Sequence, residues 1–272
     1  MIGSPRPHLT LGAFGPLNLF PCRMPLSAFD THLYVVGRTK TGKSKLLQSL
    51  LYQLILQGQG CGLLDPHSDL CDDLLAQLQP LLAASPTLRS RLVYFQPGRD
   101  DTLVPFNVLR TPGEPYSVAQ SVLEAFRRAW PESLREAPRF ANIVLASLLL
   151  LIELGLTLIE MPHLLTDRDY RETLLRRCAN PEVLHFFHER YDRWGRERAL
   201  ISESALNKVG ALAINPRLKA ILGSVENGLP FQEIMDGRKV LLCDLGRVDD
   251  ETRRLLGSLI VTGLEQAALA RK

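Results

Sequence analysis

Residues 32–44 read HLYVVGRTKTGKS, and the interpretation of this stretch decides the fold. Its first five residues are largely apolar, end in two valines and run straight into Gly37, which predicts a buried parallel strand over 32–36. The next eight, Gly37, Arg38, Thr39, Lys40, Thr41, Gly42, Lys43 and Ser44, fit the pattern G-x-x-x-x-G-K-[ST] without deviation. From Lys43 onward, Leu47, Leu50, Leu51 and Leu54 recur at helical spacing until Gly58 and Gly60 stop the helix.

Strand, glycine loop and helix, in that order, make a phosphate cradle. Glycine admits backbone angles and close approaches that a side chain would block. Successive N–H groups then turn toward an anion, and the helix offers it its positive end. Lys43 is expected to reach the β- and γ-phosphates, and the Ser44 hydroxyl to ligate Mg²⁺, with ATP as the nucleotide. Lys40 is expected to point into water. The competing reading is an accidental glycine turn. At average residue frequencies the octet arises by chance in a chain this long on the order of once in a hundred sequences, and the flanking strand and helix reduce that further.

Outward from the loop, Cys61 to Asp65 predicts a second strand closed by Pro66, then a helix opened by Ser68 with Leu70, Leu74 and Leu78 on one face. Leu92 to Phe95 predicts a third strand. Lys239 to Asp244 predicts another, followed by a helix from about Asp250 carrying Leu256, Leu259, Ile260 and Leu264. Between the third and fourth strands, prolines at 105, 112, 115, 131 and 138 lead into residues 139–222, which are helical in period throughout. Strands alternating with amphipathic helices give an α/β class with a parallel sheet. The expected division is a nucleotide-binding α/β part over 1–110, an all-helical insertion over 111–230 and a return to the α/β part over 231–272.

Hydrolysis needs an acidic residue to orient Mg²⁺ and a polar group to position water. Asp65 and Asp244, both at strand ends, are the candidates, Asp65 for a catalytic role and Asp244 as a metal ligand. Neither is followed by Glu, so turnover is expected to be slow. Glu203 is the alternative source of the missing group.

The remaining composition narrows the classes. Thirty-two Lys and Arg against twenty-nine Asp and Glu leave a net charge of +3, far from the dense basic footprint that would announce nucleic-acid binding by itself. The cysteines at 22, 61, 71, 178 and 243 form no C-x-x-C pair and read as buried thiols in a reducing cytosol. The start lacks the pattern of a secretion signal. The apolar run 143–159 contains Glu153 and Gly155, and reads as a core helix rather than a membrane span. The expected location is the cytoplasm. After Pro181, Val183, Phe187, Tyr191 and Trp194 share one helical stripe, read as core with a solvated charged face opposite.

Several stretches together resemble one family, the ATPases of type IV secretion and conjugative DNA transfer, relatives of the HerA and FtsK DNA pumps. The resemblance is carried by HLYVVGRTKTGKS, GCGLLDPHSDLCDDLL at 60–75, RLVYFQPG at 91–98 and PFNVL at 105–109. It continues through LLTDRDYRETLL at 164–175, NPEVLHFF at 180–187 and ALNKVGAL at 205–212, and ends with FQEIMDGRKVLLCDLG at 231–246 and RRLLGSLIVTGLEQAAL at 253–269. It implies a P-loop NTPase of RecA-like type, a parallel sheet incomplete at the C-terminus with an all-helical insertion. It also implies self-association into a hexameric ring, DNA as the moved substrate, and secretion or conjugation machinery as partner at the inner face of the membrane. Ser68 stands where the family usually has Gly. The acidic Asp-Glu strand of the family is expected beyond the region matching 253–272. A nucleotide-binding regulatory or structural module without turnover is the alternative. A GTPase is disfavoured because Asn207-Lys208 continues as Val209-Gly210, and a small-molecule kinase because the resemblance extends beyond the loop.

Overall fold

The structure is a computed structural model that describes residues 7–131, 138–195 and 197–271. The chain divides into two units, Met1–Phe95 with Ile234–Asp244, and Gln96–Glu233 with Leu245–Lys272.

The first unit holds a three-stranded parallel sheet of β3 (Cys61–Asp65), β5 (Val240–Asp244) and β4 (Leu92–Phe95), with β5 in the middle. The continuous apolar run of Val240, Leu241, Leu242 and Cys243 explains the central place, since a strand covered on both faces has no position for a polar side chain until its end. Register pairs Cys61 with Val240 and Asp65 with Asp244 on one side, and Leu92 with Val240 on the other. Helices α1 (Lys43–Leu56) and α2 (Asp69–Ala84) contribute Ile55, Cys71, Leu74 and Leu78 to a core closed by Val240 and Leu242. Helix α3 (Pro86–Arg91) follows, its first turn capped by Ser85 Oγ, which accepts from Leu88 N at 3.2 Å. At the amino ends of the strands, the Arg91 guanidinium donates to the carbonyls of Arg238 and Gln59 at 2.8 Å each.

Residues 32–36 do not join this sheet, and the strand expected there is corrected to an unpaired extended segment. Leu33, Tyr34 and Val36 are 45%, 89% and 74% exposed. An apolar run signals strand propensity, but a strand exists only where a neighbour supplies the ladder, and none of the described strands does so. A hairpin of β1 (His8–Phe14) and β2 (Phe20–Pro25), which the sequence reading did not anticipate, precedes this segment. It is fastened to α1 by glutamine side chains. Gln53 accepts from Thr10 N at 2.7 Å and donates to Thr10 O at 2.9 Å, and Gln57 donates to His8 O at 2.9 Å.

The second unit is helical: α4 (Pro115–Ala129), α5 (Pro138–Glu153), α6 (Met161–Thr166), α7 (Arg168–Leu175), α8 (Pro181–His185), α9 (Glu197–Ile214) and α10 (Pro216–Leu222). The run 143–159 is core as expected. Ile143, Val144, Leu148, Leu150 and Leu151 are buried, and the helix stops at Gly155, at φ 67°, before a capping box made by Thr157 and Glu160. Among the described residues no helix is long and apolar enough to cross a membrane. The aromatic stripe buries Val183, Phe187 and Tyr191 fully, while Trp194 is half-buried. The stripe does not lie on one regular helix, because α8 passes into a π-helical stretch, Phe186–Tyr191, and then a 3₁₀ turn, Asp192–Trp194.

Residues after Asp244 group differently from the expected return to the α/β part. Short α11 (Phe231–Asp236) leads toward β5, but α12 (Asp250–Leu269) packs on α4 of the helical unit. Trp130 Nε1 donates to Glu251 at 2.6 Å, and Gln266 donates to Ser121 at 2.5 Å. The contact is close at Gly263, where a Cβ would sit 2.4 Å from the Phe231 ring.

Candidate phosphate-binding site

The loop from Gly37 to Ser44 is exposed apart from the half-buried Lys43, and it closes on itself. Thr41 Oγ1 donates to Arg38 O at 2.7 Å and Thr41 N to the same oxygen at 3.3 Å. Lys43 Nζ arches back over the loop to Gly37 O at 2.8 Å and Arg38 O at 2.7 Å. Its ammonium is therefore held at the mouth of the loop instead of extending freely into solvent.

Two glycines are dictated by this geometry. Gly42 sits at φ 93° immediately before α1, in the left-handed region where a β-carbon is strained. A Cβ on Gly37 would lie 2.6 Å from Thr41 Oγ1. Lys40 adopts φ 67° without being glycine, so the loop carries one strained residue at its tip. Gly42 provides no side-chain cap, and the first N–H groups of α1 receive no side-chain acceptor from that position. Helix-start donors, a left-handed glycine and a tethered ammonium place positive charge and N–H groups together, a combination suited to a polyphosphate. Arg38, Thr39 and Ser44 are exposed along the same loop, with Ser44 in the first turn of α1.

Asp65 and Asp244 are brought to the same level at the carboxyl ends of β3 and β5, the edge at which ligands of open α/β sheets bind. Both are buried, Asp244 completely. Asp65 is committed to its own loop: Oδ1 accepts from His67 N at 3.0 Å, and Oδ2 accepts from Leu70 N at 3.0 Å and Cys71 N at 2.9 Å. That set of bonds is a helix cap for α2. Asp65 thus anchors its own loop to the start of α2.

Asp244 accepts from Ser68 Oγ at 2.5 Å and from Tyr94 OH at 3.2 Å. The hydroxyls brought against the expected metal-binding aspartate thus include that of Ser68, which the sequence marked as the opening of a helix and as standing in a glycine position, not as a partner of Asp244. Ser68 adopts φ 72°, a left-handed conformation that glycine takes at lower cost. Burial and the adjacent Asp244 carboxylate raise the Tyr94 phenol above its ordinary pKa. Burial, with Asp65 and Asp244 nearby, likewise raises the Cys71 thiol, and burial pushes Cys243 up to about 12. These thiols stay protonated and inert at neutral pH. The expectation of five buried cysteines holds at Cys71 and Cys243, is met in part at the half-buried Cys61 and Cys178, and fails at Cys22, which is exposed on β2. Glu203 is exposed on α9.

No family model, curated protein or solved structure matches the chain.

Proposed function

We propose that Gly37–Ser44 binds the phosphates of ATP with Mg²⁺, in a P-loop subunit of an ATP-driven DNA-translocating motor of the conjugative-transfer or type IV secretion kind. The observation that carries the nucleotide reading is the pairing of Gly42, left-handed at the uncapped start of a 14-residue helix, with the Lys43 ammonium held over the loop carbonyls. The DNA-moving role rests on the succession of sequence elements set out above, and with it the expectation of a ring of copies and of a secretion partner. Ser44 is the proposed Mg²⁺ ligand and Asp244 the carboxylate nearest to that task by its place at the end of β5.

A second reading, a nucleotide-binding module that does not turn over, draws support from one observation. Asp65 and Asp244 already accept hydrogen bonds from the backbone, Ser68 and Tyr94, so neither carboxylate is poised to activate water. Titration of a fluorescent ATP analogue with Mg²⁺ tests the shared claim. Lys43→Ala is expected to weaken binding by about tenfold or more, the scale of one charge-assisted contact. Unchanged affinity in the folded variant would remove the loop from the site. Phosphate release with and without DNA separates the two readings: DNA-stimulated turnover abolished by Lys43→Ala selects the motor, and binding without turnover selects the module.

A further inference from the structure

The helical unit contains a cluster that the nucleotide reading does not use. Glu172 on α7, His188 in the π-helical stretch and Asp192 at the start of the following 3₁₀ turn each present a ligand atom, and these atoms lie within 4.8 Å of one another. His188 Nδ1 is 3.8 Å from Glu172 Oε1. The side chains are 43%, 29% and 17% exposed in the order His188, Glu172, Asp192, so an ion from solvent can reach them.

The elements explain the convergence. His188 and Asp192 are four residues apart, and the wide π turn stacks residues at that separation nearly one above the other. Glu172 arrives from a different helix, so the three donors join two segments that lie about sixteen positions apart in sequence, counted from Glu172 to His188.

A second observation lies just behind the cluster. The Arg171 side chain is 1% exposed, and its Nε has no hydrogen-bond partner. Its Nη2 donates to Asp192 Oδ1 at 2.7 Å, its Nη1 donates to Leu164 O at 3.0 Å, and its guanidinium lies 5.1 Å from the centre of the Tyr191 ring. A buried arginine would be costly unless its charge is met. Here it fixes the orientation of Asp192, whose carboxylate offers about four lone-pair positions. Two carboxylates and an imidazole are donor types that a divalent cation takes.

We propose that Glu172, His188 and Asp192 bind one divalent transition-metal ion, with Arg171 holding Asp192 in place from the interior. One nitrogen and two oxygen donors suit zinc, and also manganese or cobalt. They do not match the all-oxygen shells of calcium and magnesium or the thiolate shells of copper(I). The ion clips α7 to the π turn, and solvent completes its coordination.

The test uses cobalt(II) and zinc(II) as probes on the full chain, in excess Mg²⁺ to mask the phosphate loop. The expected result is one cobalt per chain with visible d–d bands and no thiolate charge-transfer band. Zinc displaces it, and far-UV circular dichroism does not change. His188→Ala and Glu172→Gln, both on partly exposed side chains, each weaken cobalt affinity by about tenfold or more, while Lys43→Ala leaves it unchanged. Three results would overturn the proposal: no binding by the wild-type chain, equal binding by the His188→Ala and Glu172→Gln variants, or a thiolate band placing the ion on cysteine. None of these outcomes bears on nucleotide binding.

Discussion

The phosphate loop and the acidic end of the sheet belong to the same unit, yet their polar groups are treated in opposite ways. In the loop, exposed Thr41 and half-buried Lys43 bond to carbonyls of the loop itself, across three to six residues of sequence. At the sheet edge, buried Asp244 is bonded by Ser68 and Tyr94, which are 176 and 150 residues distant in sequence. The first arrangement keeps donors at the surface, where an anion can take them over at little cost. The second holds α2, β4 and β5 together, and removing a member leaves the others buried and unsatisfied. The loop is bonded locally at the surface, and the sheet edge is bonded over long range in the interior.

The sharpest way to break this comparison is Asp244→Ala. It strips the acceptor from Ser68 and Tyr94, and is expected to cost about 3 kcal/mol or more in urea unfolding. A loss under about 1 kcal/mol would reduce the cluster to an incidental contact. Ser68 gives a finer reading because two effects oppose each other. Ser68→Ala keeps the strained φ and loses the bond, for about 2 kcal/mol, whereas Ser68→Gly also relieves about 1 kcal/mol of left-handed strain. Gly is therefore expected to be the more stable variant, and the reverse order would mean that the left-handed backbone at 68 carries little strain.

On the loop side, Lys43→Ala is expected to shift stability by less than about 0.5 kcal/mol while it impairs nucleotide binding, since a half-buried side chain bonded to exposed carbonyls supports little else. A large stability loss would place the loop within the frame. A similarly small effect is expected at Asp249, a helix cap made in the open. Its carboxylate accepts from Thr252 N at 2.9 Å and Thr252 Oγ1 at 2.6 Å, bonds that hold its pKa below the ordinary carboxylate value. A depressed folded pKa gives stabilisation that is present above the unfolded value of about 3.9 and is lost as pH falls through the folded one. Asp249→Asn keeps a capping acceptor and should cost under about 1 kcal/mol at pH 7, with a flatter stability profile below pH 4. An unchanged acid limb in that variant would assign the titration elsewhere.

Local signals made much of the first unit legible. The apolar runs at 61–65, 92–95 and 240–244 become β3, β4 and β5, and the glycine loop lies against the helix expected after it. What stayed hidden depends on partners far along the chain. A run such as HLYVV carries strand propensity but not the identity of a neighbour. The β1–β2 hairpin escaped because residues 8–25 are interrupted by Gly12, Gly15, Pro16 and Pro21, and no strict alternation survives. At the site, the loop residues were readable because their chemistry is contiguous. The bonds of Asp244 to Ser68 and Tyr94 were not, although glycine-like geometry at Ser68 was the one available hint. The π turn at 186–191 was invisible because the same aromatic spacing fits a regular helix, and only the fold reveals the widened turn.

The glutamine fastening of the hairpin has a mechanical side. Gln53 satisfies both backbone groups of Thr10, as a neighbouring strand would, and Gln57 takes the carbonyl of His8. These anchors sit on the helix whose opposite end begins at the phosphate loop, about ten residues and 15 Å away by helical rise. The hairpin is thus mounted on α1 as a handle on a shaft. Its tip carries Phe14, Leu17, Leu19 and Phe20, each more than half exposed, so three glutamine bonds join an exposed apolar tip to the helix that begins at Lys43.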